Sequence, residues 1–486
     1  MDLTNILLHG TVALDVFGWV VRIVALIVVP TNRRPSSAMA WLLTIFLVPY
    51  FGLVAFLMIG NPKLPKVRRE KQRRVNSAIL ELTAGMDTVP AGDRGPDWLE
   101  SLVTLNRNLG AMPMVPGDAR LIDDYDHGIA QMTAAIEGAQ RFVHCQFYIF
   151  ALDRTTTPFF AALEAAQARG VSVKVLLDHI GSLRSPHYRR TVRELKRIGV
   201  DWRLALPVQP YRGRYQRPDL RNHRKLLVVD GDVAFIGSQN MIDRSYNKRG
   251  NLRRGLLWQE LMARLEGPVV GGVNALFLTD WFSETDEVLE TEIDPSTLEL
   301  PERVLNCQVV PSGPGFDGEN NLKLFNSLLY NAERRISVTS PYFVPDESLL
   351  AAFTTAAERG VEVELFVSAI GDQPFVFHAQ RSYYEPLLRA GVRIYLYPAP
   401  YILHAKHLTV DDDVAVLGSS NMDIRSFELN LEATLLVSGA AFVDDMRRVE
   451  DHYREISHEL TLDEHNARGL PRKVLDNLAR LTSALQ

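Results

Sequence analysis

Two cysteines in 486 residues, Cys145 and Cys307, are too few for a disulfide framework or a thiolate metal site, and they put the globular part in a reducing compartment. No Walker-type glycine loop occurs, which removes nucleotide hydrolysis from the candidate chemistries. Carboxylate clusters beside histidine are missing too, and His404 and His407 fall on opposite faces of a strand, so neither a metal nor another cofactor is expected. Excess positive charge is absent. A formal net charge of -5 argues against wholesale nucleic-acid binding, although it leaves room for local basic patches.

Apolar residues, by contrast, make up 47% of the chain, enough for two or three separate cores. Residues 38 to 59, "AMAWLLTIFLVPYFGLVAFLMI", form an uncharged run of the length that a ~30 Å bilayer core demands, which predicts a transmembrane helix. Residues 6 to 29 form a second run, with Asp15 and Arg22 inside it, each costly at mid-bilayer. It is too long for a cleaved signal peptide, and no basic residue precedes it. The stretch "NPKLPKVRREKQRRVN" carries Lys63, Lys66, Arg68, Arg69, Lys71, Arg73 and Arg74, against only Arg33 and Arg34 between the runs. This asymmetry predicts a two-helix membrane hairpin with everything after residue 60 on the cytoplasmic side. The same basic stretch suits anionic headgroups, at about 1 kcal/mol per residue near the surface.

The rest of the chain repeats itself. "RFVHCQFYIF" from Arg141 matches "RRISVTSPYF" from Arg334, and "GVSVKVLLDHIGS" from Gly170 matches "GVEVELFVSAIGD" from Gly360. Helical patterns ending on glycine, "PFFAALEAAQARG" and "ESLLAAFTTAAERG", lie between these strands. Alternating strands and helices imply parallel pairing, so each half is expected to be an α/β sheet covered by helices. The expected boundaries are a membrane anchor at 1–62, a basic lead-in at 63–120, a first half at 121–300 and a second at 301–486.

Each half carries one short motif. "NHRKLLVVDGDVAFIGSQN" and "HAKHLTVDDDVAVLGSSN" share His, one residue, Lys, four residues, Asp, six residues, then Gly-Ser-x-Asn. Side chains two apart on a strand share a face, so His223 points with Lys225 and His404 with Lys406. Asp230-Gly231 is a favoured two-residue turn that would return Ser238 and Asn240 to the histidine, and Asp411-Asp412 stands at the matching place before Ser419 and Asn421. Imidazole, ammonium, hydroxyl and amide converging on one spot make an oxyanion site for phosphate, with one histidine to attack phosphorus and the other to protonate the leaving alcohol. Each imidazole needs a carboxylate to fix its tautomer. Glu432 is the candidate for His404 and Glu260 for His223; Asp230 and Asp411 read equally as turn formers.

These residues resemble the paired HKD motifs of the phospholipase D superfamily. End to end the chain is similar to the bacterial cardiolipin synthases within it, in "AWLLTIFLVPYFG", "YIF", "SPYFVPDE", "SGP" at 312–314 and "NMDIRSFELNLEA". The resemblance implies two αβα sandwich halves related by a pseudo-twofold axis and meeting at one site, with His223, Lys225, Asp230, His404, Lys406 and Asp411 as the catalytic set. It implies phosphatidyl transfer between two phosphatidylglycerol molecules, giving cardiolipin and glycerol through a phosphohistidine, with phosphatidylglycerol and anionic lipids as the partners. Rival expectations are a membrane phospholipase D that uses water, a nuclease suggested by "YRGRYQRPDLRNHRK", and a lipid-binding scaffold. Finally, Leu470, Val474, Leu478, Leu481 and Leu485 recur at helical spacing, predicting a C-terminal helix that docks on the protein body, with contact to the membrane as the alternative.

Overall fold

The two sequence repeats each fold into a sheet flanked by helices. The computed structural model describes residues 3–31, 33–60, 63–84, 86, 95–289, 301–316 and 318–481, so Leu485 of the C-terminal stripe lies outside the described residues. The chain divides into a small unit, Met1–Lys63 with Arg217–Asp219, and a large unit holding the remainder.

In the large unit, Phe142–Phe147, Ser172–Asp178 and Asp201–Ala205 pair in parallel, as the alternation predicts. The hairpin Leu226–Val229 and Val233–Gly237 then adds antiparallel to Phe142–Phe147, and Met262–Glu266 and Met114–Ile122 follow antiparallel, so the sheet is mixed. Leu305–Ser312, Asn430–Ser438, Val414–Gly418, His407–Val410, Arg335–Thr339, Glu362–Ser368 and Arg393–Tyr397 repeat this order in the second half. The two sheets join where Met114–Ile122 meets Leu305–Ser312 with Val115 opposite Cys307, and among the described residues they form one sheet of sixteen strands. Both faces of the sheet are covered: every residue of Phe142–Phe147 and of Asn430–Ser438 is buried, the polar His144, Gln146 and Glu432 included. Helix Val269–Thr285 closes one face, with His144 stacked between Phe142 and Phe277 at centroid distances of 4.5 and 4.4 Å.

The helix Lys66–Leu82 opens the large unit, and it uses part of the basic stretch differently from expectation. Arg68 grips Glu284 through two bonds of 2.8 and 2.7 Å, and Lys71 pairs with Asp286, so these two cations serve the protein body rather than headgroups. Lys66, Arg73 and Arg74 on the same helix are exposed. The C-terminal helix Leu470–Arg480 docks on the body, but not through its apolar stripe. It docks through Asp476 and Ala479, while Leu470, Val474, Leu478 and Leu481 all face outward. Polar chemistry outweighs the stripe here: Asp476 is buried against His378 at 2.7 Å and Arg468 at 2.6 Å, an ion pair that only this face can complete.

The small unit departs most from the sequence reading. The run 38–59 is two helices, Pro35–Leu47 and Pro49–Ile59, broken at Val48. Pro49 has no N–H to continue the ladder and its ring excludes the helical carbonyl one turn before it. The first helix, Leu3–Val28, has 26 residues. Among the described residues, no helix is long and apolar enough to cross a membrane.

Candidate active site at the junction of the two halves

Both histidines lie just outside the regular strands, on short linking segments that cross between halves. Arg221–Asn222 pairs in parallel with Asn430–Leu431, and the His223 N–H donates to the Leu431 carbonyl at 2.9 Å. In the mirrored arrangement, Tyr401–Leu403 pairs in parallel with Leu257–Gln259, and the His404 N–H donates to the Gln259 carbonyl at 2.7 Å. The residue after each accepting strand position is a glutamate.

The carboxylate pairing is therefore crossed, the reverse of the within-half pairing expected from sequence. His223 Nδ1 lies 3.0 Å from both oxygens of Glu432, and His404 Nδ1 lies 2.8 Å from Glu260 Oε1. The reason is the linking strands: each histidine is carried onto the other half's sheet before its own half's glutamate is reached. Both pairs are buried.

The lysines stay beside their own histidines. Lys225 Nζ donates to the His223 carbonyl, while Lys406 Nζ donates to the His404 carbonyl and lies 3.0 Å from its Nδ1. Tyrosines guard both rings: Tyr148 meets His223 edge-on at 4.8 Å between centroids, and Tyr342 meets His404 at 6.1 Å. These tyrosines come from "YIF" and "SPYFVPDE", so the two segments carrying the resemblance flank the site.

Burial governs the electrostatics. It lowers both imidazoles, His223 well below the usual histidine range, with the nearby lysines adding to the effect. It also lowers both ammonium groups: Lys406 falls to about 8, and Lys225 falls well below its ordinary value although Glu432 opposes the drop. The carboxylates differ. Burial pushes Glu432 up to about 7 against the pull of Lys225 and Ser419. For Glu260 burial also pushes upward, but His404, Lys406 and Ser238 together hold it below the ordinary range. His223 lowered and Glu432 raised describe one preference, a pair that is net neutral and shares a single proton.

The remaining motif residues divide by task. Ser419 Oγ donates to Glu432 at 2.5 Å and accepts from the Ala433 N–H at 2.9 Å; Ser238 Oγ donates to the Leu261 carbonyl at 3.1 Å and accepts from the Leu261 N–H at 3.0 Å. The serines thus buttress the glutamate strands rather than offering hydroxyls to a phosphate. Asn240 is likewise engaged, accepting from the Ile149 N–H at 3.0 Å and lying 2.8 Å from Tyr246 Oη, which itself reaches Glu260 at 3.2 Å. Asn421 lines the cavity, and its buried amide oxygen has no partner among the described residues.

Asp230 and Asp411 sit apart from the imidazoles. Asp230 accepts from the N–H groups of Gln140, Arg141 and Phe142 at 2.7 to 2.8 Å, and Asp411 from those of Glu333, Arg334 and Arg335 at 2.7 to 3.0 Å. Each begins a three-residue loop, 230–232 or 411–413, with positive φ of 55° and 50°, where a two-residue turn was expected. Neither lines the cavity. A short carboxylate that tolerates left-handed backbone and binds the start of a neighbouring strand explains why aspartate stands there.

The cavity around the two rings has a volume of about 540 Å³. His223, His404, Tyr148, Tyr342 and Asn421 line its floor, with Arg184, Lys248 and Arg425 among the cationic residues of its wall. Sequence reading missed several supports. Asp178 holds Arg221 at 3.2 Å and the Asn222 N–H at 3.0 Å, and Asp280 binds Arg224, Asn222 and Gln146. The signal was an uninterrupted run of polar residues, "RNHRK", feeding an apolar strand, which demands buried partners.

Two duplicated αβα halves that bring paired histidines to one cleft, each with its lysine bound to the histidine's own carbonyl behind it, define a phospholipase D-like fold of the two-domain kind. A family model described as the phospholipase D-like domain of cardiolipin synthase matches residues 132–265 and 325–453, and one described as a phospholipase D-nuclease N-terminal domain matches 20–61. The chain is 33% identical to cardiolipin synthase A of Serratia proteamaculans and 32% identical to that of Yersinia pseudotuberculosis, in each case over 97% of this chain and 98% of the relative. In fold it is similar to the crystal structure of a phosphatidylserine synthase from Haemophilus influenzae, with a TM-score of 0.59 and 15% identity over 79% of this chain and all of that one. The chain belongs to the cardiolipin synthase family of phospholipase D-like proteins.

Proposed function

We propose that the protein transfers a phosphatidyl group from one phosphatidylglycerol to another, giving cardiolipin and glycerol, at a single site served by both halves. The observation that carries this reading is the crossed pairing. With each Nδ1 bound to a carboxylate of the opposite half, each imidazole keeps Nε2 for chemistry in the shared cavity. One imidazole attacks phosphorus, so a P–N bond forms as the P–O bond to the departing glycerol breaks; the other gives that oxygen its proton. The second imidazole then takes a proton from a hydroxyl of the acceptor's glycerol headgroup, whose oxygen attacks phosphorus and breaks the P–N bond. An anionic phosphate between the rings favours the imidazolium, offsetting what burial withholds; Lys225 and Lys406 supply positive charge against the equatorial oxygens, and the Asn421 amide N–H donates to one of them. One phosphodiester replaces another, so no nucleotide is consumed.

Delivery of a two-tailed substrate is supported by the rim. Phe375 and Val376 line the cavity from the helix Pro374–Arg381, and Ala479 of the C-terminal helix packs on that helix beside Val376 and Ala379. Phe375 is 70% exposed, as are the outward leucines of the C-terminal helix to a similar degree, so apolar surface borders the opening. The N-terminal apolar unit and the basic stretch after it support attachment to the inner membrane with the catalytic halves on the cytoplasmic side. Incubating the purified protein with labelled phosphatidylglycerol as sole lipid tests the reading. Cardiolipin with equimolar glycerol is the expected result; phosphatidic acid as the only product would assign a hydrolase instead.

A further inference from the structure

The apolar run 38–59 folds back on itself. Gly52 approaches Ile45 so closely that an added Cβ would lie 2.7 Å from the Ile45 Cα. Trp41 meets Phe56 edge-on at 5.4 Å, and Arg33 donates to the Gly60 carbonyl with its guanidinium 4.6 Å over the Phe56 ring. Contacts between 45 and 52, 41 and 56, and 33 and 60 are those of an antiparallel pair whose tip is Val48-Pro49 and whose two ends lie side by side. At ~1.5 Å per residue its limbs reach only about 20 and 17 Å, well short of a ~30 Å hydrocarbon core.

We propose that residues 33–60 form a re-entrant hairpin that dips into the lipid and leaves by the face it entered. The inference rests on the membrane attachment argued above and revises its path. Three observations carry it. The limbs bury Ala38 and Ile45 against the first helix, yet turn Met39, Leu43, Leu47, Phe51 and Leu57 outward, an apolar surface suited to acyl chains. Charge sits only at the two ends: Arg33 and Arg34 precede the first limb and Lys63 follows the second, so every cation reaches the headgroups of one leaflet. A two-span path satisfies the excess of the later basic stretch but places Arg33 and Arg34 on the far side, apart from Lys63. Lastly, the tip is anchored at the middle of helix Leu3–Val28, where Phe17 stacks on Tyr50 at 6.1 Å and Arg22 Nε donates to the Phe46 carbonyl at 3.2 Å. The backbone break thus supplies the acceptor that a charged residue at that depth requires.

Single cysteines at Thr31 and Lys66, both exposed, test this in the full-length chain, because Cys145 and Cys307 are buried and do not compete for label. Sealed vesicles of each orientation carrying T31C or K66C are treated with a membrane-impermeant maleimide. The expected result is that both cysteines react in the same orientation and neither reacts in the other. Reaction of the two from opposite sides overturns the hairpin while leaving membrane attachment intact. Release of the protein by alkaline carbonate overturns both, and so separates failure of the fold-back from failure of the anchor.

Discussion

At the scale of single residues, the crossed carboxylates set the sharpest expectations. His223→Ala and His404→Ala each remove nearly all transfer, on the order of 10³-fold or more, since each ring acts in both half-reactions. Glu432→Gln and Glu260→Gln lower kcat by on the order of 10²- to 10⁴-fold with little change in KM. The crossing is read from double variants: H223A/E432Q turns over no more slowly than H223A, whereas the within-half pairing predicts that equivalence for H223A with E260Q. Asp230→Asn separates a turn residue from a catalytic one. Loss of a charged acceptor for three N–H groups, one buried and two part-buried, costs about 1–3 kcal/mol, so a lowered Tm with nearly intact kcat is expected. A loss of turnover as deep as that of H223A, in protein that remains folded, would return Asp230 to the reacting set. Both histidines and both lysines were legible from the duplicated spacing alone. Their partners were not, because a glutamate far along the chain is assigned to a ring only by which sheet the ring's linking strand joins, and strands of two or three residues leave no periodic trace.

At the scale of elements, periodicity identified the C-terminal helix but not the face it buries. A stripe of leucines ordinarily marks the buried side, and here a single buried aspartate with its histidine and arginine partners reverses that rule. The outward stripe next to Phe375 predicts an interfacial effect. Replacing Leu470, Val474 and Leu478 together by serine is expected to slow transfer several-fold on long-chain phosphatidylglycerol in bilayers, while leaving turnover of a monomeric short-chain analogue within about twofold. Equal losses on both substrates would mean that the helix only braces the rim. The broken apolar run has a similar lesson. Hydropathy counts residues and does not see a proline that, twelve residues into the run, divides one span's worth of apolar sequence into two limbs.

At the scale of the whole molecule, the α/β duplication followed from the repeat and its meeting at one site from the family resemblance, whereas the mixed sheet required the hairpins to be weighed against the alternation of strand and helix. Acid sensitivity is a property of the whole. His144 and His404 are buried with depressed values, His144 at about 4, so each holds less of a proton in the fold than in the unfolded chain below the usual histidine value of 6.5, whereas the deficit at His223 is balanced by the proton that Glu432, raised to about 7, retains. The stability that His144 and His404 contribute is complete above pH 6.5 and declines as pH falls toward their folded values, about 2 kcal/mol from His144 alone by pH 5. Tm measured from pH 7.5 to 5 is therefore expected to fall less in H144N than in the parent protein, because the substitution removes the His144 contribution; parallel profiles would mean that this ring is charged in the fold. Alkaline conditions act through the site instead. Lys406, lowered to about 8, loses its charge there, so kcat/KM falls as pH rises past that value, and in K406R the fall moves to higher pH.

The swapped glutamates also impose an order on the protein's own making. A ribosome delivers residue 260 long before residue 404, and residue 404 before residue 432, so the His404 dyad closes first and the ring at 223 waits for one of the last strands of the sheet. A nascent or truncated first half, already threaded beside the lipids it will later process, has no completed dyad with which to attack them.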